Sequence, residues 1–224
     1  MFERYAIFYT PVGPLADVGA RWLGWDSAGG RAVPHVAVDG IDVALVTATP
    51  RKYGFHATMK APFRLAQGAD PDQLQRTVAD FATRHQAFAI GRMELRHDAG
   101  FVALRPGTES KALQDFAAAV VQAFDPFRAP LGDADIARRR KTQLTARQDQ
   151  QMLDWGYPFI FDDFHFHLTL TGSLPANDAA AVIAALQPLL APVLPNPFLI
   201  DAITLMGQDH AGVFHQIHRV TLTG

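Results

Sequence analysis

The chain of 224 residues contains no cysteine. Disulfide bonds, thiolate nucleophiles and iron–sulfur clusters are therefore excluded from its structure and chemistry. Charge is also sparse, because Asp, Glu, Lys and Arg make up 19% of the residues and the formal net charge is −2. This balance disfavours binding to long nucleic acid through bulk electrostatics, whereas a local basic patch can still bind phosphate.

Apolar runs of membrane-spanning length are also missing from the sequence. The most apolar stretch, residues 179–194, is interrupted by Gln187, Pro188 and Pro192. It is shorter than the roughly 20 residues that cross a bilayer. The first residues lack the apolar core and the small-residue cleavage site of a signal peptide. We therefore expect a cytoplasmic protein with no membrane partner.

Hydrophobic residues are abundant, at 49% of the chain, and there are nine histidines. A strand carrying a histidine, then a helix, then a hairpin is predicted twice, near residues 53–105 and near residues 162–222. Residues 129–157 lie between these units, are polar and are predicted to form one or two helices. The pattern predicts an α+β fold in a single domain. We expect two pseudo-symmetric lobes, each an antiparallel sheet with outer helices, around a central cleft.

The two units share one short motif, in which His, an apolar residue, Thr and another apolar residue follow each other. Residues two apart on a strand face the same side, so His56 points with Thr58 and His167 points with Thr169. Paired imidazoles suit acid–base catalysis near neutral pH, and threonine hydroxyls can donate hydrogen bonds to phosphate oxygens. We predict His56 and His167 as catalytic acid and base, in either assignment, with no metal and no cofactor.

The motifs and the sequence segments around them resemble the two-histidine (2H) phosphoesterase superfamily, which includes cyclic nucleotide phosphodiesterases and RNA ligase-like proteins. The resemblance is carried by residues 53–63 (YGFHATMKAPF), 144–148 (LTARQ), 155–158 (WGYP) and 166–172 (FHLTLTG). These segments are similar to those of a branch of the superfamily that is associated with carbon–phosphorus lyase operons and phosphonate metabolism. The resemblance implies the superfamily fold, catalysis by the two histidines and phosphate binding by Thr58 and Thr169.

The same resemblance implies a small phosphorylated substrate. Phosphonate degradation produces a ribose cyclic phosphate that also carries a 5-phosphate, and a two-histidine pocket suits the opening of a cyclic phosphate. A second phosphate needs further cations, for which Lys60, Arg138 and Arg139 are the candidates. Lys60 lies two residues beyond Thr58 and is therefore predicted on the same face of the strand.

Several further residues are candidates for the pocket, and two other functions remain open. Tyr53, Trp155 and Tyr157 are candidates to line a sugar or base site. His165 is predicted on the same face as His167, where it tunes the pocket, binds a second phosphate or, as a His-x-His pair, ligates a metal. The alternatives are RNA 2′,3′-cyclic phosphodiesterase or ligase-like end processing, and a non-catalytic module that binds a phosphometabolite. The sequence leaves the oligomeric state open.

Overall fold

The structure is a computed structural model that describes residues 2–224. Its strands are β1 (Arg4–Tyr9), β2 (Trp25–Asp26), β3 (Arg31–Ala32), β4 (Ala57–Phe63), β5 (Phe88–Ala89), β6 (Met93–Asp98), β7 (Phe101–Pro106), β8 (Leu168–Ser173), β9 (Leu199–Ile200), β10 (Ala202–Gln208) and β11 (Phe214–Thr221). Its helices are α1 (Gly13–Leu23), α2 (Val43–Val46), α3 (Pro71–Ala82), α4 (Lys111–Phe124), α5 (Asp133–Arg139), α6 (Ala146–Trp155) and α7 (Ala176–Leu190). Short 3₁₀ helices cover Pro50–Tyr53, Asp125–Phe127 and Phe161–Asp163.

A seven-stranded sheet in the order β11-β10-β1-β4-β8-β7-β6 organises the fold. All its neighbouring strands are antiparallel. The central strands β4 and β8 pair only at Ala57 and Leu168, so this contact joins a four-stranded half to a three-stranded half. The predicted α+β class, with two antiparallel halves around a cleft, is confirmed.

The order of strand, helix and hairpin occurs twice, as β4, α3 and β6–β7 and again as β8, α7 and β10–β11. Each hairpin lies in the half of the sheet that contains the other unit's strand. The hairpin β6–β7 lies beside β8, and the hairpin β10–β11 lies on the β4 side, separated from β4 by β1. Accordingly, α3 packs against β10 and β11, and α7 packs against β6 and β7. The two units therefore exchange hairpins, which makes each half of the cleft depend on both.

Local sequence signals explain most of the element ends. Asp70 accepts hydrogen bonds from the first turn of α3, which begins with Pro71, and Ser110 caps α4 in the same way. Ala99 and Gly100 both have positive φ, as the tight turn between β6 and β7 requires. Helix α7 begins at Ala176 after Pro175, without a side-chain cap.

The alternation along β1 separates the two faces of the sheet. Tyr5, Ile7 and Tyr9 belong to the large core that the helices cover, whereas Ala6 and Phe8 belong to a small cluster on the opposite face. The segment 129–157 forms the two helices α5 and α6, of which α5 ends beside this second face. Among the helices of residues 2–224, none is both long and apolar enough to cross a membrane.

Candidate active site

A cleft of about 600 Å³ contains one histidine and both threonines of the two motifs. Most of the other predicted binding residues line it as well. The lining residues used below are Arg4, Tyr53, His56, Thr58, Phe101, Arg138, Arg139, Tyr157 and Thr169. A cleft of this size suits a small molecule.

The pairing of β4 with β8 brings the two motifs together. Ala57 faces Leu168 in an antiparallel register, so His56 lies beside Thr169 and Thr58 lies beside His167. Ala57 and Leu168 are fully buried, which directs the flanking residues of both motifs to the other face. The charge of His167 acts on the pKa of His56, which indicates that the imidazoles are close enough to interact.

Both imidazoles are held by the same backbone device. His56 Nδ1 lies 2.9 Å from the carbonyl oxygen of Gly54, and His167 Nδ1 lies 2.7 Å from that of His165. A carbonyl oxygen only accepts, so each Nδ1 carries the proton and donates it. Each neutral imidazole therefore keeps its lone pair on Nε2. At His56, this Nε2 accepts a hydrogen bond from the Thr58 hydroxyl at 3.2 Å.

The imidazole of His56 packs between aromatic rings. The ring of Phe8 stacks on it at a centroid distance of 3.9 Å, and the ring of Tyr53 stacks at 5.7 Å. Burial lowers the pKa of His56 from its ordinary value of 6.5 to about 4, although the bond to Gly54 acts in the opposite direction. His56 is therefore neutral at pH 7, in the form of a base.

His167 has a different environment. Its closest aromatic neighbour is Phe101, at 5.6 Å and tilted by 57°. Burial lowers the pKa of His167, and the positive charge of Arg105 lowers it further, while Asp98 raises it. Arg105 contacts Asp98 at 3.4 Å and lies over the Phe101 ring at 5.4 Å. An arginine and an aspartate therefore act on this imidazole, whereas aromatic rings enclose the other.

Lys60 does not lie in the cleft, and its predicted place on the Thr58 face is wrong. The register of β1 against β4 pairs Phe8 with Thr58 but Ile7 with Lys60, so one step on β1 matches two on β4. This β-bulge reverses the alternation. Lys60 is 3% exposed and donates hydrogen bonds to the Val121 carbonyl and to Asp125, both at 3.0 Å. Burial lowers its pKa to about 8.

The other predicted residues divide into two groups. Tyr53, Tyr157, Arg138 and Arg139 line the cleft. Trp155 instead contacts Phe161 and lines the small pocket that contains Lys60. His165 is exposed and lines a separate pocket, so its contribution to the cleft is the backbone carbonyl that holds His167.

Sequence reasoning missed Arg4, which stands at the start of β1 and lines the cleft. Nothing in the sequence indicates that β1 lies next to β4 in the middle of the sheet, so an arginine at its start resembles an ordinary surface charge. It also missed Thr49 and Ser173, which line the cleft from loop and strand ends. Within residues 2–224, no group of three or more His, Asp or Glu side chains is arranged to hold a metal ion.

Comparison with known proteins finds two relatives that each carry the name ribose 1,5-bisphosphate phosphokinase PhnN. The protein from Janthinobacterium sp. (strain Marseille) is 36% identical over 231 residues, which cover 99% of this chain and 51% of the relative. The protein from Laribacter hongkongensis (strain HLHK9) is 29% identical over 219 residues, covering 97% and 51%. The chain thus spans about half the length of the curated relatives it matches.

Solved structures with a similar chain trace include E. coli LigT complexed with 3′-AMP, with a TM-score of 0.48 and 14% identity over 100% of both chains. A structure described as a phosphoesterase has a TM-score of 0.43 and 12% identity over 99% of both chains.

A family match covers residues 58–215, which include Thr58, His167 and Thr169. The family match and the names of the two relatives agree with the phosphonate-associated branch that the motifs resemble. Since the match extends over more than half of the 224 residues, the chain belongs to the family described as "Protein of unknown function (DUF1045)".

Proposed function

We propose that the protein is a phosphoesterase that hydrolyses a small cyclic phosphodiester by acid–base catalysis with its two histidines. One observation carries this proposal: two imidazoles, each held through Nδ1 by a carbonyl and each followed by a threonine, flank the Ala57–Leu168 pair on neighbouring strands, where the charge of His167 acts on His56. In this arrangement each Nε2 is the imidazole nitrogen left for proton transfer, and the two threonine hydroxyls can donate to one phosphate.

In the proposed reaction, His56 Nε2 takes a proton from water as the water oxygen attacks phosphorus. The bond from phosphorus to one ring oxygen breaks, and His167, protonated at Nε2, gives its proton to that oxygen. When substrate binds, the Thr58 hydroxyl turns its proton from His56 Nε2 to the phosphate, so that Thr58 and Thr169 each donate a hydrogen bond to a non-bridging oxygen. His56 is assigned as base because burial keeps it neutral at pH 7. The negative charge of a bound phosphodiester favours the protonated form of His167.

The substrate that fits best is the 1,2-cyclic phosphate of ribose 5-phosphate. Breaking its bond between phosphorus and O2 gives ribose 1,5-bisphosphate, the compound in the names of the two curated relatives. The chain aligns with about half of each relative and contains no Gly-x-x-x-x-Gly-Lys-Ser/Thr phosphate loop. We therefore propose the hydrolysis that supplies such a kinase, rather than the kinase reaction, and place it in phosphonate metabolism.

Hydrolysis assays followed by ³¹P NMR test this function. We expect the protein to open the ribose 1,2-cyclic phosphate, with a chelator in the buffer as well as without it. Substitutions His56→Ala and His167→Ala should each slow the reaction by about 10²–10⁴-fold while circular dichroism shows the fold intact.

Each alternative predicts a different result. Preferred turnover of RNA ends that carry a 2′,3′-cyclic phosphate would favour RNA end processing. Tight binding of ribose phosphates without turnover at any pH would favour a non-catalytic module. Activity lost to the chelator and restored by a divalent cation would contradict metal-independent hydrolysis.

A further inference from the structure

Arginines gather at one end of the cleft. Arg4 at the start of β1 and Arg138 and Arg139 at the end of α5 line it, and Arg64 lies close by. Burial lowers the pKa of Arg4, and the positive charges of Arg138 and Arg64 lower it further. Burial also lowers the pKa of Arg139, and the positive charges of Arg138 and Arg4 lower it further. Like charges placed so close together repel each other.

The protein neutralises only part of this charge. Asp135 accepts from Arg138 at 2.7 Å and from Arg64 at 3.3 Å, so its carboxylate is already occupied. Arg139 lies over the ring of Tyr157 at 5.2 Å, and its Nε is buried without a hydrogen-bond partner among residues 2–224. Arg4 donates from Nε to the neutral side-chain amide of Gln208. Arg4 and Arg139 therefore retain donors and positive charge for another group.

Arg4 stands apart from His56 along β1, and Arg139 lies close enough to Arg4 for their charges to interact. Arg4 and Phe8 share the cleft face of β1, and Phe8 supports His56. At about 3.3 Å per residue, their Cα atoms are separated by about 13 Å. Ala61 and Pro62 of β4 also line the cleft, so the cleft continues along β4 beyond Thr58. An anion bound by Arg4 and Arg139 is thus a different group from the one between the histidines.

We infer that Arg4 and Arg139, with Tyr157, form a second, anion-binding subsite that binds a terminal phosphate monoester carried by the same small substrate. Guanidinium groups bind phosphate oxygens through paired hydrogen bonds, and a monoester dianion matches two unneutralised cations. Burial raises the pKa of the Tyr157 hydroxyl, which therefore stays protonated and can donate. The inference rests on the proposed function and restricts it to substrates with a second phosphate.

The test compares ribose 1,2-cyclic phosphate with and without a 5-phosphate. For the wild type, we expect the 5-phosphate to raise kcat/KM by about 10- to 100-fold, the contribution of one or two hydrogen bonds to a charged group. Arg4→Gln and Arg139→Gln should each reduce this ratio about tenfold or more. Arg139→Lys, which keeps the charge, should restore part of it. Arg138→Gln should reduce it less, because Asp135 already pairs with Arg138.

Arg21→Gln, at an exposed position at the end of α1, serves as the matched control and should leave the ratio unchanged. A ratio near one in the wild type, or a ratio that Arg4→Gln and Arg139→Gln leave unchanged, would overturn the subsite while leaving the proposed hydrolysis standing. Calorimetry with ribose 5-phosphate separates the two proposals. Weaker binding by Arg139→Gln than by wild type would support the subsite even if no cyclic phosphate were hydrolysed.

Discussion

The two halves of the cleft share a backbone arrangement but differ in what surrounds the imidazole. His56 is stacked between Phe8 and Tyr53 and accepts a hydrogen bond from Thr58. His167 lies beside a tilted Phe101 and under the influence of Arg105. The duplication therefore supplies two imidazoles with the same tautomer, and the side chains around them make the two unequal.

The duplicated motif alone does not assign acid and base. Both Nδ1 atoms donate to the carbonyl of the residue two positions earlier, which is Gly54 in one half and His165 in the other. Gly54 has a φ of 73°, and a side chain there would collide with Ser27, so glycine is required in this half. The environment, rather than the motif, favours His56 as the base.

Removal of either imidazole should have the largest effect. We expect His56→Ala and His167→Ala each to lower kcat/KM by about 10²–10⁴-fold, because each loses one proton-transfer group. Steady-state hydrolysis of the ribose cyclic phosphate measures the loss. Loss from one substitution only would show that the two halves do not act as a pair.

The threonines should matter less and should be more alike than the histidines. Thr58→Val and Thr169→Val remove one hydrogen bond each to a charged phosphate, which corresponds to about 10- to 100-fold in kcat/KM. Thr58→Val also removes the donor to His56 Nε2 and should therefore change the acid limb of the pH profile. A shifted limb in Thr169→Val instead would contradict the asymmetry.

Lys60 provides a contrast within one strand, because it lies on β4 beyond Thr58 but contacts the core. Lys60→Met removes the bonds to Asp125 and Val121, while Arg128 still donates to Asp125 at 2.8 Å. We expect the free energy of unfolding to fall by about 1–3 kcal/mol, with little change in kcat/KM. Urea denaturation and kinetics measure the two quantities. A loss of activity without a loss of stability would indicate that Lys60 acts in the cleft.

The smallest expected effect is a shift in pH dependence. A base must be unprotonated, so activity falls as the pH falls through the pKa of His56, which burial places at about 4. Phe8→Leu exposes the imidazole to more water and should raise this pKa toward 6.5, moving the acid limb of kcat/KM upward by about one pH unit. Phe101→Leu is the control in the other half and should leave this limb in place.

Much of the site was predictable because it depends on local sequence. Two His-x-Thr motifs on strands, with buried residues at Ala57 and Leu168, indicate the shared face directly. The capped starts of α3 and α4 follow from Asp70 and Ser110 for the same reason.

The misplaced residues depend on long-range structure. The bulge that turns Lys60 away exists only in the pairing of β4 with β1. Arg4 enters the cleft because β1 is inserted between β4 and β10, a strand order that no local pattern shows. Trp155, the last residue of α6, packs against Phe161, a contact that again depends on tertiary packing.

The central claim, that His56 is the base and His167 the acid in one hydrolytic site, is tested most directly by changing the leaving group. A p-nitrophenyl phosphodiester releases p-nitrophenolate, which leaves without needing a proton. We predict that His167→Ala hydrolyses this substrate at nearly the wild-type rate, whereas His56→Ala remains slower by about 10²–10⁴-fold. Equal losses in both variants, or recovery of His56→Ala alone, would contradict the account.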